Sequence, residues 1–204
     1  MKRRIASRIA RPAGLLALSS TLIVGGCGDG FDPLIWGNFP DTVVLYSLAR
    51  PEHVGLPSAY NMAGMNPVVV DQPKRNPADF DFAVTENDEG EFLLLPAGLF
   101  ADFSIRPGIF LDSTATFDEL SRAPRDGYTF EEPVVADSNT VYVVRSRQAS
   151  NGCFFYGKIE VLELDPEGSV TIQALANPNC SDRSLTPNAP PPEEDDDGEG
   201  DGEG

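Results

Sequence analysis

Apolar residues in the body of this chain recur at every second position, in short runs that proline, glycine or asparagine repeatedly cut off. Alternation of this kind puts successive side chains on opposite faces of a strand, whereas a helix would space them by three and four. The clearest run is Asp79-Phe80-Asp81-Phe82-Ala83-Val84, which sets Phe80, Phe82 and Val84 on one face. Further strands are predicted at Thr42 to Leu48, Pro67 to Val70, Glu91 to Leu95, Ser104 to Leu111, Pro133 to Ala136 and Thr140 to Val144. Many short strands joined by such turns predict an all-β fold over residues 41–187, a single antiparallel β-sandwich or open barrel-like domain. Helix is confined to one short stretch, Phe117 to Arg122, where Thr116 caps the start, Glu119 completes a capping box and Pro124 ends it.

The amino-terminal end follows other rules. Lys2, Arg3, Arg4, Arg8 and Arg11 precede a mostly apolar stretch from Ala13 to Val24, and no acid occurs before Cys27. A basic start and an apolar run are the layout of an export signal. The run of 12 residues falls short of the roughly 20 that a membrane-spanning helix needs. It closes on Val24-Gly25-Gly26-Cys27 and not on an A-x-A-like site. These four residues resemble the lipobox of bacterial lipoproteins, in which an aliphatic residue and two small residues precede an invariable cysteine.

The resemblance implies that residues 1–26 are a signal peptide, cleaved between Gly26 and Cys27, and that the Cys27 thiolate takes a diacylglyceryl group before its freed amine takes another acyl chain. Each buried methylene contributes about 0.8 kcal/mol, so two or more chains anchor stably where one does not. In that family an aspartate after the cysteine favours retention in the inner membrane. Gly28 stands there instead, and the expected location is the outer membrane, on its periplasmic or surface face. The plainer reading makes Cys27 a small residue closing a signal helix. Arg3-Arg4 lacks the continuation of a twin-arginine signal, which favours the general secretory route. Residues 27–40 become a lipidated start and linker, whose Phe31, Trp36 and Phe39 either rest at the membrane interface or cover the sheet.

With Cys27 carrying lipid, Cys153 and Cys180 are the two cysteines left in an exported chain, and an even number in an oxidising compartment favours a bridge. Strand register argues the same way. Asp165-Pro166-Glu167-Gly168 is a turn with Gly168 at a left-handed position, which sets Leu164 opposite Val170, Leu162 opposite Ile172, and Glu163 beside Thr171 on the outer face. Upstream the apolar parity slips by one, and a bulge at Val161 restores it, pairing Glu160 with Gln173 and Ile159 with Ala174. Continued, that register lays Cys153 opposite Cys180, although Asn177-Pro178 is expected to end regular pairing first. Two buried free thiols or a redox pair are the alternatives; no C-x-x-C motif supports the latter.

Without residues 1–26, ten basic residues remain against 32 acidic ones, a formal charge of −22. Nucleic-acid phosphate and anionic membrane surfaces both repel such a polyanion. No nucleic-acid partner is expected, and lipid on Cys27, not charge, has to hold the protein to a membrane. Residues 188–204 carry eight acids, no base and no apolar residue larger than alanine or proline. Nothing there offsets the entropy of ordering, so a disordered acidic tail is expected. Glu193, Asp195, Asp197 and Gly198 fall near the first positions of a calcium loop, but the twelfth place, which needs a glutamate, is Gly204. Weak cation association is all this implies, and no metal site or cofactor is expected.

The common catalytic routes are hard to assemble. His53 is the single histidine, in a loop-like stretch that suggests exposure, and no G-x-S-x-G elbow, Walker loop or H-E-x-x-H occurs. Asp112-Ser113-Thr114-Ala115-Thr116 after Ile109-Phe110-Leu111 resembles the D-x-[ST]-x-[ST] metal loop of von Willebrand A-type domains. That fold is doubly wound with long crossover helices, which this sequence lacks, so a polar turn capping the short helix is the favoured reading. The sequence therefore names no catalytic residue. It leads to a membrane-anchored exported lipoprotein with a noncatalytic binding or envelope-structural role and a protein or envelope-component partner. The alternative is an envelope hydrolase that uses paired carboxylates.

Overall fold

The computed structural model describes residues 38–70, 79–103, 106–149 and 152–187. The expected signal peptide, Cys27, the aromatic residues Phe31 and Trp36, and the acidic tail lie outside the described residues, as do Ser104 and Ile105 at the start of one predicted strand. The described residues form ten strands: β1 (Asp41–Tyr46), β2 (Pro57–Asn61), β3 (Asn66–Val69), β4 (Phe82–Glu86), β5 (Phe92–Pro96), β6 (Gly108–Asp112), β7 (Val134–Val135), β8 (Val141–Arg145), β9 (Tyr156–Asp165) and β10 (Ser169–Ala176). They form two five-stranded sheets, in the orders β1-β10-β9-β8-β6 and β3-β2-β4-β5-β7. Every pairing is antiparallel. The result is a β-sandwich and not a closed barrel.

Between the sheets, Leu45, Tyr142, Val144, Ile159, Val161, Val170 and Ile172 from the first meet Tyr60, Phe82, Val84, Phe92 and Leu94 from the second. Full burial of such side chains contributes about 1.5–3 kcal/mol each. The first sheet also buries much of its other face, because Phe117, Leu120, Ala123, Tyr128 and Leu185 pack over Val141, Val143, Tyr156 and Leu175. Two covered faces explain why β8 reads Val141-Tyr142-Val143-Val144 without alternation. The Tyr142 hydroxyl donates to the Val135 carbonyl at 2.8 Å and accepts from the Asp137 N–H at 2.9 Å, tying the β7–β8 connection to the core.

The β9–β10 register agrees with the sequence reading except at the bulge. Glu160 pairs with Gln173 and Ile159 with Ala174, but Val161, not Leu162, lies opposite Ile172. Leu162 is the extra residue and turns towards solvent. Two other expectations are corrected. Phe80 does not share a face with Phe82 and Val84: it packs with Ala59, Ala83 and Ala97 outside the main core. Just before β4 the backbone pairing still continues, with the Asp81 N–H on the Tyr60 carbonyl at 2.8 Å and the Ala97 N–H on the Asp81 carbonyl at 2.9 Å, while the wholly buried Asp81 carboxylate accepts the Met62 N–H at 2.7 Å, the Arg147 N–H at 2.8 Å and Arg147 Nη1 at 2.9 Å.

The helix at Phe117 to Arg122 is a single turn. Thr116 and Glu119 form the capping box and Leu120 N–H reaches the Thr116 carbonyl. The buried Lys158 ammonium then takes the carbonyls of Phe117 and Leu120. Beyond the turn the chain leaves for sheet-like pairing, with Arg122 bridged to Ser184 and Ala123 N–H bonded to the Arg183 carbonyl.

Candidate functional site

The two ends of the sandwich differ. At one end β1 starts, β10 and β8 stop, and β9 begins; Asp81, Arg147, Cys153 and Cys180 belong to this end. The other end carries the β4–β5 turn, the segment after β7 and the β9–β10 hairpin. These three segments enclose a cleft of about 330 Å³ lined by Gly90, Glu91, Phe92, Val135, Ala136, Asp137, Leu164 and Pro166. That is the lower end of the size range of small-ligand sites.

Each wall of the cleft is fixed by its own local chemistry. In the β4–β5 turn, Gly90 has φ of +82°, a left-handed conformation that suits glycine. Asn87 Oδ1 there accepts the N–H groups of Glu89 and Glu91, while its Nδ2 donates to Glu91 Oε2 at 2.7 Å. The second wall is held by the Ala136 N–H on the Phe92 carbonyl at 2.8 Å and by the Tyr142 hydroxyl at Asp137. In the third, Asp165 Oδ1 accepts the Glu167 N–H, and Arg50 Nη2 holds the Pro166 carbonyl at 2.8 Å. Arg50 in turn grips both oxygens of Glu86 at 2.7 Å. That grip holds the Glu86 carboxyl below its ordinary value. The cleft is therefore preformed, with an apolar lining from Phe92, Val135, Leu164 and Pro166 and two carboxylates, Glu91 and Asp137.

His53, expected to be exposed, is half-buried, its ring edge-on to Tyr46 at 5.1 Å between centroids. It lines a second cavity of about 20 Å³ with Ser47, Arg50 and Ser58, a space on the scale of one water molecule. Its Nδ1 is buried without a hydrogen-bond partner. Glu86, whose charge reaches His53, has both oxygens on Arg50. Among the described residues no hydrogen bond joins His53 to a serine or a carboxylate, so no relay for nucleophilic catalysis is assembled there.

The remaining sequence-predicted sites resolve simply. Cys153 and Cys180 come together as a disulfide pair with Cα atoms 5.1 Å apart. The β9–β10 ladder ends at Gly157 opposite Ala176, and Asn177 N–H to the Tyr156 carbonyl and Ser181 N–H to the Phe154 carbonyl carry the strands on to the bridge. In the Asp112 to Thr116 loop, Asp112 Oδ1 accepts from Thr114 N, Thr114 Oγ1 and Ala115 N, which lowers its carboxyl and spends it on the turn itself. Phe39 is 67 % exposed, while Cys27 and Gly26 lie outside the described residues. Among the described residues no group of three or more His, Cys, Asp or Glu is placed to hold a metal ion, and no helix is long and apolar enough to cross a membrane.

Sequence reasoning missed the cleft. Glu91 and Asp137 come from segments far apart in the chain, and only the turn pattern Asn87-Asp88-Glu89-Gly90 marks one of its walls locally. In comparisons with known proteins, the chain matches no family model, and no curated protein or solved structure is significantly similar to it.

Proposed function

We propose that this protein is an exported lipoprotein, held to a membrane by acyl chains on Cys27, whose β-sandwich binds a partner noncatalytically in the cleft lined by Phe92, Val135 and Leu164. One directional observation carries this reading. β1 starts at the end of the sandwich opposite the cleft, and there Asn38 Nδ2 donates to the Thr186 carbonyl at 2.9 Å. The first described residue is thus fixed at the end of the sandwich opposite the cleft. The 11 residues from Cys27 to Asn38 span at most roughly 40 Å when extended.

The lining suggests the chemistry of the partner. An apolar floor beside Glu91 and Asp137 suits a lysine or arginine side chain of a partner protein, with its methylene stem along Phe92 and Leu164 and its cation at a carboxylate. Hexylamine and hexanoate are the probes, followed through the NMR signals of Phe92, Val135 and Leu164. The amine is expected to shift them and the acid is not, and the response is expected to vanish with Glu91→Gln and Asp137→Asn together. Equal responses to both probes, or none, would overturn the cleft assignment. The anchor is tested separately by the intact mass of membrane-extracted protein, which is expected to begin at Cys27 with added lipid; a chain retaining residues 1–26 without lipid would refute it.

A second reading, hydrolysis of an envelope sugar or peptide by paired carboxylates, is favoured by Glu91 and Asp137 sharing one cleft. Against it stands the bond that Asn87 Nδ2 makes to Glu91 Oε2. Turnover of an envelope glycan or peptide that is lost in the same double variant would favour hydrolysis over binding.

A further inference from the structure

A sandwich of two open sheets has four edge strands, and each edge offers unpaired backbone groups to any other strand. Three of the four are blunted. β7 is two residues long. β3 is four residues long and contains Pro67, and its pairing with β2 slips between Pro57 and Ala59. β6 is covered by Thr129, which exchanges both backbone hydrogen bonds with Ile109 at 3.0 and 2.8 Å. Among the described residues β1 has none of these protections: its six residues, Asp41-Thr42-Val43-Val44-Leu45-Tyr46, pair with β10 in unbroken register and contain no proline, no lysine and no bulge.

Register fixes which groups of β1 face outward. Ser47 N–H bonds the Gly168 carbonyl at 2.8 Å, and 47 opposite 168 continues the β1–β10 register. Hydrogen-bonded and non-hydrogen-bonded pairs alternate in an antiparallel ladder. Leu45 and Val43 therefore point their backbone groups at β10, and Thr42, Val44 and Tyr46 point theirs away from it. Among the described residues, Thr42 N–H is met only by the neighbouring Asp41 Oδ1, at 2.8 Å. Past Tyr46 the chain does not run on along this edge, since Leu48 N–H turns to the Val84 carbonyl in the other sheet.

We infer that β1 is a self-association edge: two copies pair β1 with β1 antiparallel about a two-fold axis at Val44, joining their first sheets into one of ten strands. The outward groups are centred on Val44, so this register pairs Thr42 with Tyr46 of the second copy, Val44 with its own equivalent, and Tyr46 with Thr42, and it satisfies every outward N–H and C=O of the three. Residue faces match as well. Val44, 41 % exposed, meets Val44 on the outer face, while Val43 meets Leu45 on the core face and extends both cores. In this register Asp41 comes opposite Ser47, so no acid faces an acid across the seam although both copies carry the same negative net charge. An unrelated strand would have no reason to be centred on Val44.

Variants of the full chain that each add one cysteine test the register under mild oxidation. Val44→Cys is expected to cross-link to itself at least tenfold faster than Thr42→Cys, whose equivalents lie about four residues of strand apart, on the order of 13 Å. A mixture of Thr42→Cys and Tyr46→Cys is expected to give a heterodimer that neither gives alone. Val44→Lys, on an exposed side chain, is expected to abolish the dimer in sedimentation while leaving the unfolding midpoint unchanged at dilutions where the parent chain is itself monomeric. Cross-linking at equal rates in all three cysteine variants, none above the parent chain, or a dimer that survives Val44→Lys would each overturn the inference.

Discussion

Asp81, the residue before β4, and Glu86, the last residue of that strand, each bind an arginine from a distant part of the chain, and the two pairs are built for different tasks. Asp81 is fully buried and the Arg147 side chain is 15 % exposed, whereas Glu86 is 9 % and Arg50 31 % exposed. Burial pushes the Asp81 carboxyl up against the opposing pull of Arg147 and two backbone N–H groups. Glu86, nearer to water, sits below its ordinary value because Arg50 holds both of its oxygens. The inner pair joins the end of β2, the start of β4 and the end of β8. The outer pair joins the loop after β1 to the hairpin that walls the cleft. A preformed site is most useful where one end of the scaffold is locked and the other is clamped by contacts that water can reach.

The largest effect is expected from Asp81→Ala. It would strand the Arg147 charge in a buried site and leave the Met62 and Arg147 N–H groups unmet, at a cost of about 3–5 kcal/mol in urea unfolding. Replacing both partners, as Asp81→Leu with Arg147→Met, is expected to recover much of that loss, because an apolar pair has no charge to desolvate. A double variant no more stable than Asp81→Ala would mean that the pair stabilises through its hydrogen bonds to Met62 and β8 and not through charge. Next in size is the loss of the bridge. Cys153→Ser with Cys180→Ser opens a loop of 27 residues' separation and is expected to cost about 3–4 kcal/mol in the chain-entropy model. Its hydrogen-exchange signature belongs at Phe154 to Tyr156 and Asn177 to Ser181, with the cleft unaffected. If amides at the cleft exchange faster instead, the two ends are coupled and the division drawn between them fails.

Much of the locked end was legible in the sequence and little of the clamped end was. Alternation located the strands that face solvent on one side, and the parity slip near Val161 carried the β9–β10 register to Cys153 and Cys180 within a single bulge residue. Local pattern reaches that far because consecutive strands of a hairpin share one turn. β2 escaped because Ser58, Ala59 and Tyr60 are all buried, so Pro57-Ser58-Ala59-Tyr60-Asn61 shows no alternation. The helix was overestimated because the groups that arrest it, Lys158 on β9 and Arg183 near the end, lie far along the chain. For the same reason the cleft left no signature: its acids are ordinary surface residues until residues 90–92, 135–137 and 164–166 meet.

The smallest effect bears most directly on function. A carboxyl whose folded value lies below its unfolded one contributes stability that is present above the unfolded value, here about 4.5, and is lost as pH falls through the folded value. Acid is therefore expected to loosen the Arg50 clamp on Pro166 with little change in the global midpoint, while exchange rises first at Leu164 to Gly168 and at Ser47 to Arg50. Glu86→Gln at neutral pH is expected to reproduce the same local pattern and to weaken the response of the cleft to hexylamine several-fold. That variant leaves Glu91, Asp137 and the apolar floor in place, so any loss of binding comes from the position of the hairpin. Binding that is indifferent to Glu86→Gln would mean that the cleft is held by its core contacts through Phe92 and Leu164 alone, and the outer ion pair would then be a surface contact worth little.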